Sequence, residues 1–255
     1  MVKRTIVKED LCIGCGQCAS DCVSCCIKIE NGKAKIQEDL CIGCGHCYAI
    51  CPKEAVELRG WGDGGGEPVS APVDAGALLG MMKSRRSTRQ YLPKPIPPEV
   101  VEQLLEAGRY APTAENHQVV EFILLDREKD AAEAKAVASF RKLLKPLQKV
   151  VPQLATQEID DHFFFKGAPL VILVTNKTGM DDGISASYIE LMANALGLGV
   201  LYSGFFRVVV KFNRKLRAML PIRKGYHLTN CMVIGYPSVK YQRIPPRMPA
   251  KVVND

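Results

Sequence analysis

The sequence predicts an α+β fold that is divided into two modules joined by a linker. Ten of the eleven cysteines lie within residues 12–51, which sets one end of the chain apart. Residues 1–60 hold eight basic and eight acidic side chains, so the net charge of +7 belongs to the rest of the chain. Patterns typical of helices and of strands both occur in residues 77–255. We therefore predict domains at 1–60 and 77–255, separated by a glycine- and proline-rich linker over 61–76.

The composition disfavours two classes of partner. No apolar stretch approaches the roughly 18 residues that span a bilayer, and the first ten residues lack the apolar core of a signal peptide. We therefore expect a cytoplasmic protein that does not bind membranes. The basic charge does not predict nucleic-acid binding, because aromatic residues make up only 7% of the chain and no helix-turn-helix or finger signature is present in the sequence.

An internal repeat organises the cysteine-rich module. The segment 9–18 recurs at 38–47, and each copy continues to a fourth cysteine, which gives C-x₂-C-x₂-C-x₃-C twice. Small glycines between the cysteines let a tight loop wrap around a cube-shaped iron–sulfur cluster, and this spacing is typical of [4Fe–4S] ligands. We therefore predict two [4Fe–4S] clusters. The predicted ligands are Cys12, Cys15, Cys18, Cys22, Cys41, Cys44, Cys47 and Cys51.

The fourth cysteine of each copy is predicted to bind the cluster of the other copy, as in the two-cluster pattern. Cys51 would complete the cluster of the first triplet, and Cys22 would complete the cluster of the second. Disulfides are disfavoured because no export signal is present. Structural zinc normally uses two C-x₂-C pairs, and it is the alternative to iron–sulfur clusters.

Residues 1–60 resemble the bacterial-type ferredoxin domain with two [4Fe–4S] clusters. The resemblance rests on the repeated cysteine motif and covers nearly all of the module. The first copy departs from the pattern at Val23, where the second copy has Pro52. Cys26 is interpreted as a small buried residue, and Cys25 as a spare thiol or a substitute ligand.

Strand and turn patterns complete this module. Asn31-Gly32 predicts a hairpin turn between strands at 26–29 and 33–36. Two further short strands are expected at 5–7 and 55–58, one near each end of the module.

The second module contains helix and strand patterns in alternation. An amphipathic helix is predicted over 97–108, with prolines at its start and a glycine at its end. Strands are predicted at 121–125 and 170–175. A strand followed by a turn is predicted over 230–237, and Cys231 in this segment is interpreted as a buried thiol.

Two further segments of the second module are predicted to be helical. Residues 127–150 are rich in alanine and lysine, with interruptions expected near Pro146 and Pro152. Residues 184–198 form an apolar pattern that ends at a glycine. The core face predicted for this second helix consists of Ile184, Tyr188, Leu191, Met192 and Ala195.

Four short motifs in residues 77–255 resemble those of the nitroreductase family of FMN proteins. The family pairs an early R-x-S-x-[RK] with a later P-[ST]-x-x-N, and this chain has both in that order. A glycine-containing turn at 197–205 and arginines at 243–247 follow in the expected places. The resemblance implies a central mixed sheet flanked by helices, bound FMN, and a homodimer with FMN at the subunit interface.

The residues that this resemblance assigns to FMN fall into three groups. Those expected at the phosphate, ribityl chain and pyrimidine edge are Arg85, Arg86, Ser87, Arg89, Arg243 and Arg247. Those expected near the reactive N5 edge are Tyr202, Ser203 and Gly204. Those expected to reach the flavin of the partner subunit are Pro112, Thr113, Ala114 and Asn116.

The two resemblances together imply an FMN-dependent oxidoreductase. Electrons would enter or leave through two [4Fe–4S] clusters, and a small acceptor such as a nitroaromatic or a quinone would be reduced at the flavin. The electron donor would be a ferredoxin or a nicotinamide nucleotide, although no dinucleotide-binding fingerprint is present in the sequence. The alternative is an electron-transfer or redox-sensing protein whose acceptor is another protein. The four histidines are scattered along the sequence, so no catalytic side chain is assigned.

Overall fold

The fold was analysed in a computed structural model that describes residues 4–60, 66–68, 72–148, 158–177 and 180–253, without the side chains of 145–148. The structure divides into two compact units, which are described separately. The first unit is Met1–Pro72 with Thr113–His117, and the second is Val73–Pro112 with Gln118–Asp255.

The first unit consists of two small antiparallel sheets and two short helices. Strand β1 (Arg4–Val7) pairs with β4 (Val56–Arg59), and β2 (Ile27–Glu30) pairs with β3 (Lys33–Ile36), as the sequence predicted. Asn31 and Gly32 form the hairpin turn, both with positive φ, which asparagine and glycine accept most readily.

The two short helices of this unit begin in the same way. Helix α1 (Gln17–Ser20) follows Gly16 at φ 77°, and α2 (His46–Ile50) follows Gly45 at φ 78°. In each repeat, a glycine with a left-handed backbone conformation turns the chain sharply after the second cysteine of the triplet. The internal repeat of the sequence is therefore also a repeat of local structure.

The second unit is built on a four-stranded sheet with the order β5-β6-β8-β7. Neighbouring strands are antiparallel, and a parallel bridge joins Ser87 to Val200, which gives the sheet its mixed character. The central strand β6 is buried along most of its length, which explains its unbroken apolar sequence. The strands are β5 (Glu121–Leu124), β6 (Leu170–Asn176), β7 (Gly199–Tyr202) and β8 (His227–Gly235).

Helices cover both faces of this sheet and form two apolar cores. One core contains a group of phenylalanines, among them Phe164 and Phe206, and the other contains Leu104 and Ile189. The helices of this unit are α3 (Ala75–Ser84), α4 (Pro98–Arg109), α5 (Lys129–Gln148), α6 (Asp181–Ala195), α7 (Gly204–Phe212) and α8 (Arg214–Met219).

Two of the expected helix boundaries differ from the structure. Helix α3 begins at Ala75, because the Asp74 side chain accepts a hydrogen bond from the backbone N–H of Ala77, so the last two residues of the predicted linker are helical. Helix α5 includes Pro146 and is described as far as Gln148, so the interruption expected at Pro146 does not break it. The interruption expected at Pro152 lies outside the described residues.

The predicted core face of α6 was wrong. Ile184 and Tyr188 are 39% and 40% exposed, whereas Ile189 is fully buried. The buried face is displaced by one position and is rich in small and acidic residues. It consists of Asp181, Asp182, Ser185, Ala186, Ile189, Glu190 and Ala193.

Close helix packing explains this result. Helix α6 packs against α4, and a Cβ atom added to Gly108 of α4 would lie 2.9 Å from Cδ1 of Ile189 and 2.8 Å from Cζ of Phe122. This close approach requires a glycine on α4, and it places Ile189 of α6, rather than Ile184 or Tyr188, in the core. None of the described helices is both long enough and apolar enough to span a bilayer.

Candidate cofactor sites

The eight predicted ligand cysteines line two cavities in the first unit. One cavity, of about 340 Å³, is lined by Cys12, Cys15 and Cys18 of the first repeat together with Cys51 of the second. The other, also about 340 Å³, is lined by the second triplet together with cysteines from the first repeat. The cysteines that line this second cavity are Cys18, Cys22, Cys26, Cys41, Cys44 and Cys47.

Backbone N–H groups point at several of these sulfur atoms. The N–H of Ala34 donates to Sγ of Cys12 at 3.4 Å, and the N–H of Ala55 donates to Sγ of Cys51 at 3.3 Å. The hydrogen bond from Ala34 lowers the pKa of the Cys12 thiol, which favours the thiolate form that binds metal. Hydrogen bonds to sulfur are also one of the means by which proteins set the potential of an iron–sulfur cluster.

The donor set of the two cavities fits iron–sulfur clusters. A [4Fe–4S] cluster is bound by four cysteine thiolates, and each cavity is lined by enough cysteines from the two loops to provide them. No group of three cysteine, histidine or carboxylate side chains in the described part of the chain is arranged to hold a single metal ion. In a cube-shaped cluster each thiolate binds a different iron atom, so its ligands stand further apart than the four ligands of one zinc ion.

The remaining cysteines are placed as the sequence suggested. Cys26 is 1% exposed, and burial raises the pKa of its thiol to about 12. Its Sγ lies 3.4 Å from Sγ of Cys22, so it also belongs to the wall of the second cavity. Cys25 is exposed, and Cys231 is buried in the second unit, where desolvation raises its thiol pKa.

In the second unit, three of the predicted FMN-binding segments meet. The backbone N–H of Thr88 donates to the carbonyl of Val200 at 3.0 Å, which joins the arginine segment 85–89 to the end of β7. The hydroxyl of Tyr241 donates to the carbonyl of Ser87 at 3.2 Å, which brings the C-terminal segment to the same place. A Cβ atom added to Gly199 would lie 2.2 Å from Oγ1 of Thr88, so glycine is required for this approach.

A buried carboxylate joins two of the predicted FMN residues. Nη1 of Arg85 lies 3.1 Å from Oε1 of Glu190, which is only 8% exposed. The hydroxyl of Tyr202 is 3.4 Å from Oε2 of Glu190 and donates to the carbonyl of Ala186 at 3.0 Å. Burial raises the pKa of Glu190, and the charge of Arg85 opposes that rise.

Glu190 is a site residue that the sequence analysis missed. It lies within a helix that was interpreted as apolar packing, so its charge did not stand out. One signal was available, because Glu190 is the last acidic residue before position 255.

The other predicted arginines are available to bind an anion. Arg89, Arg243 and Arg247 are exposed and Arg86 is partly exposed, and none of the four forms an ion pair with another described residue. Guanidinium groups that no carboxylate neutralises are suited to binding a phosphate dianion. The residues of this site therefore fit the phosphate of FMN.

The remaining predicted motif is divided between the two units. Pro112 belongs to the second unit, and the residues that follow it group with the first. There the side-chain amide of Asn116 donates to the carbonyl of Gly43 at 2.7 Å. Asn116 itself has a positive φ of 52°. Thr113 and Ala114 lie in the same loop.

Comparison with known proteins identifies the class of both units. The family model for the nitroreductase family matches residues 82–236, and a model for a 4Fe-4S binding domain matches residues 33–56. A curated relative, the putative NADH dehydrogenase/NAD(P)H nitroreductase of Methanothermobacter thermautotrophicus, is 24% identical over 179 residues, which cover 67% of this chain and 82% of the relative.

Solved structures show the same fold. The nitroreductase of Bacteroides fragilis with bound FMN matches with a TM-score of 0.57 and 20% identity, over 69% of this chain and 98% of the other. The FMN-dependent nitroreductase of Clostridium difficile matches with a TM-score of 0.55 and 22% identity, over 69% and 98% of the two chains.

These findings define the chain as an oxidoreductase with an α+β flavoprotein fold and an N-terminal domain of the 4Fe-4S ferredoxin type. The chain belongs to the nitroreductase family, and it is an oxidoreductase of that family. The resemblance expected from the four sequence motifs is confirmed.

Proposed function

We propose that this enzyme carries two [4Fe–4S] clusters and transfers electrons between them and FMN to reduce a small acceptor such as a nitroaromatic or a quinone. The observation that carries the proposal is the pair of cysteine cavities, each of which is lined by the cysteine triplet of one repeat together with at least one cysteine of the other repeat. A chain that held a single cluster would need only one such set of ligands.

The chain's own residues would hold the cofactors and exclude water. In each cavity the thiolates would bind the cluster. The N–H donors of Ala34 and Ala55 in the first cavity, and that of Gly43 to Cys41 in the second, would stabilise the negative charge on sulfur. FMN, when bound, supplies the exchange between one-electron and two-electron transfer. The residues proposed for its phosphate, ribityl chain and pyrimidine edge are Arg85, Arg86, Ser87, Arg89, Arg243 and Arg247.

The residues proposed near the reactive edge of the flavin lie where β7 ends and α7 begins. Ser203 is buried and its N–H donates to the carbonyl of Cys231 at 2.8 Å, so the backbone at this point is fixed to the sheet. Gly204 follows at the start of α7. Tyr202 is held through Glu190 and the carbonyl of Ala186, which orients its ring. We also propose a cytoplasmic location, because a reducing compartment keeps the cysteines needed for the clusters from forming disulfides.

The proposed function predicts which donor and acceptor support turnover. FMN-loaded protein with intact clusters should reduce nitroaromatics or quinones under anaerobic conditions, with electrons from a reduced ferredoxin or from NADH or NADPH. Removal of the clusters should abolish turnover with the one-electron donor and should leave FMN bound. Rates that do not change with the ferredoxin donor when the clusters are removed would contradict the proposed electron route.

We also propose that the enzyme is a homodimer with FMN at the subunit interface. An open apolar groove of about 910 Å³ on the second unit supports this proposal, because α3 and the exposed face of α6 leave large apolar side chains without cover. Tyr188 is 40% exposed and Leu78 is 37% exposed within this groove. A second copy of the chain would bury this surface. The loop residues Pro112, Thr113, Ala114 and Asn116 would then contribute to the flavin site of the partner.

A charge placed in this groove is expected to prevent dimer formation. Tyr188→Glu should convert the dimer to a monomer and should weaken FMN binding at least about tenfold, because a carboxylate buried without a partner costs several kcal/mol. Light scattering and flavin titration measure the two effects. Met180→Glu is the matched control, since Met180 is 82% exposed and lies outside the groove. A dimeric Tyr188→Glu protein with normal flavin affinity would contradict the proposed interface.

A second candidate acceptor is another protein, and exposed apolar residues around the cysteine loops favour it. Ile13 is 60% exposed, Leu40 is 56% exposed and Val23 is 78% exposed, all close in sequence to cluster ligands. Apolar side chains around a cluster are suited to transient docking of an electron-transfer partner. Turnover of small acceptors at rates that match the reduction of the clusters would decide against this candidate.

A further inference from the structure

A basic groove on the second unit has no role in the functions described so far. The groove has a volume of about 1210 Å³ and lies between α7, α8 and the first residues of β8. It shares no residue with the proposed FMN site. Its basic lining residues are Arg207, Lys211, Arg214, Arg217 and His227.

The charge of this groove is not compensated by the protein. No acidic residue occurs between positions 191 and 254, while that segment contains eleven lysines and arginines. Arg223, in the same segment but outside the groove, pairs with Glu121 at 3.2 Å. In contrast, Arg207, Lys211 and Arg214 form no ion pair with any other described residue.

The spacing of the groove cations places like charges close together. Arg207 and Lys211 are four residues apart on α7, so they lie on the same face of the helix, and Arg214 follows at the start of α8. Like charges at this spacing destabilise a helix. A bound anion would relieve that repulsion, which favours negative charge in the groove.

The fourth arginine supports the shape of the groove. Nη2 of Arg217 donates to the carbonyl of Tyr226 at 2.9 Å, and Nη1 donates to the carbonyl of Ile222 at 3.2 Å. These bonds connect α8 to the chain that leads into β8, so the wall of the groove is held in place. The cations therefore stand on fixed secondary structure rather than on a loose loop.

We propose that this groove binds a phosphorylated small molecule, with its phosphate groups on Arg207, Lys211 and Arg214. Guanidinium groups match the geometry of phosphate oxygens, and several cations at one place favour a ligand with two or more negative charges. Phe212, which is 76% exposed, and Val208 provide an apolar surface for the organic part of the ligand.

Direct binding measurements on the FMN-loaded protein test the proposal. Calorimetric titration with inorganic pyrophosphate at physiological salt should give a Kd of about 1 mM or lower, the range of a specific small-molecule site. Lys211→Gln and Arg214→Gln should each raise that Kd at least about tenfold, the loss expected when a charge-assisted hydrogen bond is removed. Because FMN occupies the other phosphate-binding arginines, the titration reports on the groove.

The control variant is Lys215→Gln, since Lys215 is exposed on α8 but does not line the groove. It should leave the affinity for pyrophosphate unchanged. An equal loss in Lys215→Gln would show that only the general surface charge matters and would overturn the proposal. Equal affinity for citrate, tighter binding of a single-stranded oligonucleotide, or no binding of pyrophosphate would overturn it as well. None of these outcomes bears on the proposed reaction at the flavin.

Discussion

Replacing Cys12 and Cys51 together with alanine is expected to remove one cluster, whereas replacing Cys12 and Cys22 together is expected to remove both. The reason is that Cys12 and Cys51 line one cavity and Cys22 lines the other. Iron should therefore fall from about eight atoms per chain to about four in the first variant and to nearly none in the second. Iron and sulfide analysis after anaerobic purification measures this difference.

The two double variants discriminate between the possible ligand pairings. If each repeat held its own cluster with its own four cysteines, the Cys12 and Cys22 variant would keep about four irons and the Cys12 and Cys51 variant would lose all of them. Cys25→Ala is the matched control, because Cys25 is exposed and lines neither cavity. FMN content should remain the same in every variant, which shows that the second unit is folded.

Replacing Arg85 with glutamine is expected to weaken FMN binding and to destabilise the protein at the same time. Arg85 is proposed to contact the flavin phosphate, and it is also the ion-pair partner of the buried Glu190. Loss of one charge-assisted hydrogen bond should lower FMN affinity at least about tenfold. Leaving Glu190 unpaired should lower the free energy of unfolding by about 2 kcal/mol.

A second substitution separates these two effects. In the Arg85→Gln and Glu190→Gln double variant the buried charge is gone, so most of the stability should return, while the affinity for FMN should remain low. Lys83→Gln controls for the change of charge, because Lys83 is exposed and lies two residues from Arg85. If the double variant bound FMN as well as the unchanged protein does, Arg85 would have only a structural role. Flavin titration and chemical denaturation provide the two readouts.

Local sequence signals predicted much of the first unit. The repeat of cysteines at fixed spacing predicted the pairing of the two loops, and Asn31-Gly32 predicted the hairpin that the structure shows. These features depend on short segments whose backbone geometry is restricted by glycine and asparagine. The structure adds what spacing cannot give, namely the N–H donors that reach Cys12 from β3 and Cys51 from the residue before β4.

The error in α6 shows where sequence patterns reach their limit. The pattern correctly predicted a helix, but large apolar residues such as Tyr188 and Leu191 were assigned to the core. An apolar face is equally suited to a core and to a subunit interface, and periodicity alone does not distinguish them. The core face is determined by the close approach of Gly108 to Ile189. These two residues are 81 positions apart in the sequence, so local periodicity does not reveal their contact.

Glu190 was missed for a related reason. Its role depends on contacts with Arg85, which is distant in sequence, and with Tyr202, which lies on a different element. Both contacts form only in the folded chain. The same is true of the groove cations, whose significance depends on which acidic residues lie near them. Electrostatic partnerships of this kind become visible only when the fold is known.

One chain is proposed to hold both cofactor types, two [4Fe–4S] clusters and one FMN. The most direct test is quantification of iron, sulfide, zinc and flavin in anaerobically purified protein, together with its absorption spectrum. We predict about eight irons, about eight sulfides and one FMN per chain. Zinc in place of iron, iron at about four atoms per chain, or the absence of bound flavin would contradict this account.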